Sequence, residues 1–421
     1  MSILSSIFTG VSGLNANGQE LSVIGDNIAN VNTIGFKGSR MAFGDILSQT
    51  LTGLSGSSQV GRGVAVNGVT PMFTQGSFQN TNSGLDVAID GDGFFMVTSG
   101  NATYYTRAGN FQVDQNGNVV TPSGDILQGY LANANGIGVS GTIGNVQILA
   151  TAISQPNATS TANLSVNLDS GATASAAWVS PAGSATAPAS TTYNSTTTVT
   201  AYDSQGNAHQ VNVYFAKSAA NTWTAHYVYQ DSAGLYQEAG TGQALTFNTS
   251  GVLTPASAAS SGSLAFNWGG GVANGAITVD LTGTTQVAGS FAVNSITQNG
   301  YATGTIKNVL IDDKGMITGV FTNGQTRCLA QLCLAKFAAP TELTKIGNNL
   351  YAQSSTSGQP VVGVAQTSGL GRTLSNTLEM SNVDLAEEFT NLISAQRGFQ
   401  ANTKIITTTD DLLNLLISIK Q

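Results

Sequence analysis

GDNIANVNTIGFKGSR, Gly25 to Arg40, ends one kind of structure and begins another. Upstream of it, Leu4, Ile7, Val11, Leu14, Leu21 and Ile28 follow the alternating three- and four-residue spacing of a heptad seam. Gly18 and Gly25 fill two further seam positions. Each costs the helix about 1 kcal/mol relative to Ala but lets another backbone approach closely. Within the stretch, Asn27, Asn30 and Asn32 can satisfy the orphan carbonyls of a helix end and tolerate left-handed backbone. Gly35 and Gly38 then let the chain leave at an angle, with Phe36 anchoring the exit.

A second helix closes the chain in SNVDLAEEFTNLISAQRGFQANTKIITTTDDLLNLLISIK. Ser381 or Asn382 is placed to cap it, and Asp384, Glu387 and Glu388 favour the positive end of its dipole. Leu385, Leu392, Phe399, Ile406 and Leu413 recur every seven residues. Phe389 and Ile417 join them on the second seam position, where Gln396, Thr403 and Asp410 are polar. From Ile405 to Ile419 the pattern is apolar nearly all round, which implies burial on several sides.

Between the two helices the pattern is β. An apolar-x-[Asp/Asn]-x-x-Gly-x-apolar unit appears four times, with Asp114/Gly117, Asp203/Gly206, Asn248/Gly251 and Asp312/Gly315 at the turn. From about 144 to 300 the only charges are Asp169, Asp203, Lys217, Asp231, Glu238 and Asp280, and all three tryptophans (Trp178, Trp223, Trp268) lie there. That stretch reads as a domain inserted into another. The expected division is a terminal helical domain (1–30 with 375–421), a connecting region (31–70 with 361–374), a β-rich middle domain (71–145 with 288–360) and an inserted β outer domain (146–287).

Composition narrows the function. Only 9% of the 421 residues are charged, 50 are Gly, and the net charge is −8. With 14 Lys plus Arg and a pI near 4.6, the chain lacks the basic footprint that nucleic acid requires. No apolar run is long enough to span a membrane as a helix. The N-terminus has no basic start, continuous apolar core and cleavage site of a conventional signal peptide. Cys328 and Cys333 lie five residues apart in one predicted strand, about 16 Å between Cα atoms and on opposite faces, too far for a disulfide. They read as buried thiols. Asp86, Asp90 and Asp92 lack the closing Glu of a calcium loop, GDGFF lacks the third glycine of a phosphate cradle, and His209 and His226 have no nucleophile elbow to serve. No catalytic, cofactor or metal site is expected.

SGLNANGQELSVIGDNIANVNTIGFKGSR resembles the N-terminal signature of the axial proteins of the bacterial flagellum, its rod and hook subunits. The likeness continues in TQGSFQNTNSGLDVAIDGDGFFMV and YTRAGNFQVDQNGNVVTPSGDILQGY, and returns in LEMSNVDLAEEFTNLISAQRGFQANTKIITTTDDLLNLL. Within that family, the length and the insertion, with TTVTAYDSQGNAHQVNVYFAKSAANTWTAHYVY, look like hook subunits. The resemblance implies a mainly β fold with α-helical termini that pair as a coiled coil. Outward of them would follow a β-rich domain and a barrel or sandwich-like outer domain. It also implies a helical homopolymer, a curved universal joint that carries torque from the rod to the filament and is a conduit for exported subunits. Its partners would be the distal rod, hook cap and hook–filament junction proteins and the flagellar type III export apparatus. The assembly interface would be Leu4, Ile7, Val11, Leu14, Leu21, Ile28, Leu385, Phe389, Leu392, Phe399, Ile406, Leu413 and Ile417. Asn27, Asn30, Asn32, Gly35, Phe36 and Gly38 would form a flexible joint. Phe43 and Leu47 match in position an apolar export-gate motif, or are ordinary core residues. The alternatives are a distal rod subunit and a secreted β-rich adhesin or enzyme.

Overall fold

The computed structural model describes residues 3–46, 49–53, 56–133, 138–149, 153–255 and 259–419, with the backbone alone for 3, 4, 49–53, 56–60, 416 and 419. The chain is mainly β, with helix α1 at Ile3–Ala29 and helix α2 at Leu385–Ile419. It divides into two compact units. The first comprises Met1–Ala150, Asn308–Val320 and Thr326–Gln421; the second comprises Thr151–Lys307 and Phe321–Gln325.

Both units are built on one turn. At Asp114, Asp203, Asn248 and Asp312 the side-chain Oδ1 accepts the N–H groups two and four residues on, at 2.7–3.0 Å. The glycine at the fourth position donates back to the carbonyl of the first and holds φ between 75° and 88°. A side chain there would be strained, so the Asp/Asn and the Gly are required together. Asp231 with Gly234 makes a fifth copy that the pattern search missed. Its flanking residues are Tyr229 and Tyr236, which fit the unit only when tyrosine is counted as apolar.

In the first unit, antiparallel strands Met316–Phe321, Thr326–Leu332, Ile126–Ala132, Phe94–Ser99, Ala102–Thr106, Leu350–Ala352 and Thr344–Gly347 are neighbours in that order. Phe94, Tyr105, Phe337 and Tyr351 form the aromatic part of the core, edge to face or tilted. Cys333 lies in this core, and both thiols are free and buried. Burial pushes the Cys333 thiol up to about 12. Both stretches expected as connecting region carry paired strands: Ser39–Asp45 with Val64–Pro71, and Arg372–Ser375 with Val87–Asp90. Thr377–Glu379 pairs with Phe78–Asn80. The C-terminal end of the chain thus returns to the N-terminal part of the sheet body before α2 begins.

The second unit contains a four-stranded antiparallel sheet running from Ser195 to Thr246 and a five-stranded sheet organised around Thr161–Asp169. One core joins them, with Trp223, Phe215, Tyr227, Phe266, Leu168 and Trp268 at its centre. Two of the three tryptophans are therefore core, and Trp178 is half-buried on a loop.

Candidate functional site: the junction of the terminal helices

α1 and α2 pack antiparallel, but not on the seam that periodicity suggested. A Cβ on Gly13 would lie 2.7 Å from the Asn402 side chain, and one on Gly10 would lie 3.2 Å from Ile406 Cγ1. From the other side, a Cβ on Gly398 would lie 3.1 Å from Asn17. Asn27 Nδ2 donates to Glu388 Oε1 at 2.8 Å. The α1 face turned to α2 therefore runs Gly10, Gly13, Asn17, Ile24, Asn27, keeping heptad spacing but rotated about 100° from the apolar seam. Gly25 meets nothing within 4 Å, and Gly18 only reaches ordinary contact with Phe399 at 4.0 Å. The glycines that admit the partner helix are Gly10, Gly13 and Gly398.

The rotation decides where the apolar residues go. Val11 is exposed, and Ile7, Leu14, Leu21 and Ile28 are only half-buried. On α2, Leu392, Phe399, Ile406 and Leu413 are half-buried, whereas Leu385, Phe389 and Ile417 are exposed. The second α2 position facing inward is Glu388, Ala395 and Thr409, all buried, rather than the Phe389 to Ile417 series. Phe8 and Ile417 are respectively 68% and 63% exposed. For Leu4 only the helical backbone is described, and Leu47 lies outside the described residues. Phe43 is exposed.

α2 is capped by Asp384, not by Ser381 or Asn382: its Oδ1 accepts the Ala386 N–H at 2.8 Å and the Glu387 N–H at 3.3 Å. The helix begins at Leu385, so Asp384 is the first residue in reach of the free N–H groups. Asn382 is otherwise engaged, accepting the Gly38 N–H at 2.9 Å and donating to Met72 O and Thr74 Oγ1 at 2.8 Å.

The stretch expected as a flexible joint is a buried node. Asn27 Nδ2 donates to Ser39 O at 2.8 Å, and its Oδ1 accepts the Ser39 N–H at 2.9 Å. Asn30 closes the helix end by donating to Asp26 O, and Asn32 is exposed. Gly35 sits at φ 67°, its N–H on Glu379 O at 2.8 Å, and a Cβ there would be 2.6 Å from Ala108 N. Phe36 is buried under the Lys345 ammonium, 5.1 Å from its ring centroid. Gly35 to Ser39 are all buried, and the two glycines let the backbone pack closely where the chain leaves α1.

At the centre of the node, Lys37 Nζ lies 2.6 Å from Glu379 Oε1, with both side chains fully buried. Arg107 approaches the other oxygen at 3.4 Å and donates to Gly91 O at 2.9 Å. Glu379 Oε1 also accepts the Gly76 N–H, and Lys37 donates to Thr74 O. Burial pushes both the Lys37 ammonium and the Arg107 guanidinium below their ordinary values, and the Glu379 charge opposes that shift in each. Sequence reasoning missed this triad. Its one signal was scarcity: in a chain with so few charges, a Lys inside Gly-Phe-Lys-Gly is placed by structure rather than by solubility.

The other candidates for chemistry are accounted for by packing. Asp90 pairs with Arg372 and Asp92 with Lys336, each at 2.8 Å. His226 hydrogen-bonds to Glu238 at 2.7 Å and stacks on Trp178. His209 Nε2 lies 2.9 Å from Asp203 and its ring stacks on Trp268. Burial would raise the Asp203 carboxyl, but bonds from His209, Asn207 and the Asn207 and Gln205 backbone outweigh it and hold it at about 2, below the ordinary 3.8. A depressed carboxyl stabilises the fold above its ordinary value, and that contribution is lost as pH falls through the folded one. The second unit should therefore lose melting temperature between pH 3.8 and about 2. Asp203→Asn should flatten that limb; an unchanged slope in thermal melts would count against the assignment.

Four family models match the chain: Flagella basal body rod protein over residues 7–37, Flagellar hook protein FlgE/F/G D1 domain over 88–171, Flagellar basal body protein FlaE D2 domain over 167–301, and Flagellar basal body rod FlgEFG protein C-terminal over 374–419. The Flagellar hook protein FlgE of Escherichia coli (strain K12) is 38% identical, covering 97% of this chain and 98% of its own. That of Salmonella typhimurium (strain LT2) is 36% identical with the same coverage. The Brucella suis biovar 1 (strain 1330) protein of that name is 34% identical across 100% of both chains.

Proposed function

The chain belongs to the flagellar hook protein FlgE family, and we propose that, as a structural subunit of the bacterial flagellar hook, it polymerises into a curved, flexible tube through its terminal helices. The observation that carries this reading is the rotation of the helix pair. α1 turns its small and polar positions to α2, and the pair leaves Phe8, Val11, Leu385, Phe389 and Ile417 to solvent. A lone soluble chain gains nothing from such a surface; neighbouring copies would cover it. Copies repeating head to tail without closing make a helical filament.

In that filament the paired helices, 1–30 with 375–421, act as a coiled coil lining the channel. Residues 31–70 with 361–374 connect them to a middle domain (71–145 with 288–360), and 146–287 form a sandwich-like outer domain. The assembly interface comprises Ile7, Val11, Leu14, Leu21, Ile28 and their counterparts on α2. The joint residues Asn27, Asn30, Asn32, Gly35, Phe36 and Gly38 link the channel-lining helices to the outer domains and let these tilt from copy to copy. The distal rod, hook cap and hook–filament junction proteins are its neighbours, and the flagellar type III apparatus exports it unfolded to the cell exterior, with Phe43 and Leu47 engaging the gate.

Electron microscopy of the purified full chain, beside one lacking residues 385–421, tests this. Curved tubes from the full chain and none from the shortened one are expected. Straight rods would instead indicate a rod subunit. Tubes from both would refute assembly through α2.

A further inference from the structure

Beside the helix pair, in the first unit, lies a cavity of about 370 Å³ lined by Glu20, Arg40, Asp384, Glu387 and Glu388. Four carboxylates face one guanidinium, and among the described residues Arg40 makes no ion pair with any of them. Glu388 is 7% exposed and gives one oxygen to Asn27; among the described residues no other side-chain hydrogen bond reaches its carboxylate. Glu20 is half-buried, and among the described residues nothing hydrogen-bonds to its carboxylate. Burial raises both carboxyls above their ordinary value, and the neighbouring Glu387 charge adds to the shift at Glu388.

The missing cations are on the same helix. Arg397 and Lys404 are seven residues apart, on the face of α2 opposite the one turned to α1, and both are exposed. Among the described residues neither makes an ion pair. They cannot reach their own chain's cavity: from Glu387, Arg397 is about 15 Å and Lys404 about 25 Å further along the helix axis. A second copy with a parallel α2, staggered by about 15 Å, brings Arg397 to the acids. Phe389 and Ile393, exposed on α2 at axial levels between the acids and Arg397, then lie beside the contact.

We propose that this acidic cavity docks the basic stripe of α2, Arg397 and Lys404, from a neighbouring copy of the chain. The proposal rests on the polymerising function above and adds to it the contact that sets the stagger between copies. Apolar helix faces slide with little preference for register, whereas a cation seated among four carboxylates has one favoured position.

The test is a charge exchange in the full-length chain. Glu387→Lys and Arg397→Glu are both exposed substitutions; the first also sets a cation against the positive end of the α2 dipole, so helical circular dichroism of each variant is measured beside its assembly. Each alone should raise the critical concentration for tube formation by about tenfold or more. The two together should recover part of that loss, because one ion pair of opposite sense is restored while Glu20, Asp384 and Glu388 remain. Arg397→Glu with Lys404→Glu should be worse than Arg397→Glu alone, and added salt should weaken wild-type assembly while relieving the repulsion in that double variant. Single variants that assemble like wild type, or a combined exchange no better than either single, would overturn the proposal while leaving the hook reading intact. A wild-type chain that forms no tubes would overturn that reading and this one with it.

Discussion

Glu379→Ala unfolds the first unit well below the melting temperature of the wild-type chain. The substitution leaves Lys37 and Arg107 facing each other in a fully buried site with no negative charge between them. Breaking a buried ion pair from one side costs about 3–5 kcal/mol, because the remaining charge is uncompensated. Here two charges remain, and the Gly76 N–H loses its acceptor as well. Against a domain stability of roughly 5–15 kcal/mol this is a large fraction, and the drop in melting temperature should be about 10 °C or more. Glu379→Gln should be nearly as damaging, since an amide fills the space but cannot balance charge. Replacing all three together, with Lys37→Met, Arg107→Met and Glu379→Leu, should recover most of the loss. Thermal melts followed by circular dichroism separate these outcomes. If Glu379→Ala melts with wild type, the triad is not what ties the α1 exit to the strands.

That triad also marks the boundary of what the sequence discloses. The turns were legible because their chemistry is local: an Asp or Asn, and a Gly three residues on, fix the backbone wherever they fall. The two terminal helices and the β body were legible from periodicity for the same reason. The clamp was not, because Lys37 and Glu379 are 342 residues apart and nothing in either segment names the other. The same limit explains the seam. Leu14, Leu21 and Ile28 make the strongest apolar stripe on α1, and within one chain such a stripe would be packed against its partner helix. Here the partner helix sits on the glycine and asparagine face. Periodicity locates an apolar stripe; it does not say whether the same chain or another one will cover it. Gly18 and Gly25 were conspicuous because they interrupted that stripe, while Gly10 and Gly13, outside it, form the contact.

Substituting Leu at both Gly10 and Gly13 should separate the helices and abolish tube formation. At Gly13 the first added carbon already lies 2.7 Å from the Asn402 amide, and at Gly10 it lies 3.2 Å from Ile406. One carbon could be absorbed by turning Asn402, but an isobutyl group at each site needs the helices to move apart. Intrinsic propensity predicts the reverse, since replacing two helical glycines gains about 1 kcal/mol each. The variant therefore sets contact against propensity, and contact should win: α1 remains helical only if something still packs on it. Gly25→Leu is the control. Nothing lies within 4 Å of that position, so the same chemical change should raise helix stability without disturbing α2. Circular dichroism and electron microscopy of the two variants give the comparison. Tubes from the Gly10/Gly13 variant would mean that neighbouring copies, rather than the chain's own α2, hold α1 in place. The small-residue face would then be incidental, and the apolar stripe Val11, Leu14, Leu21 and Ile28 alone would account for assembly.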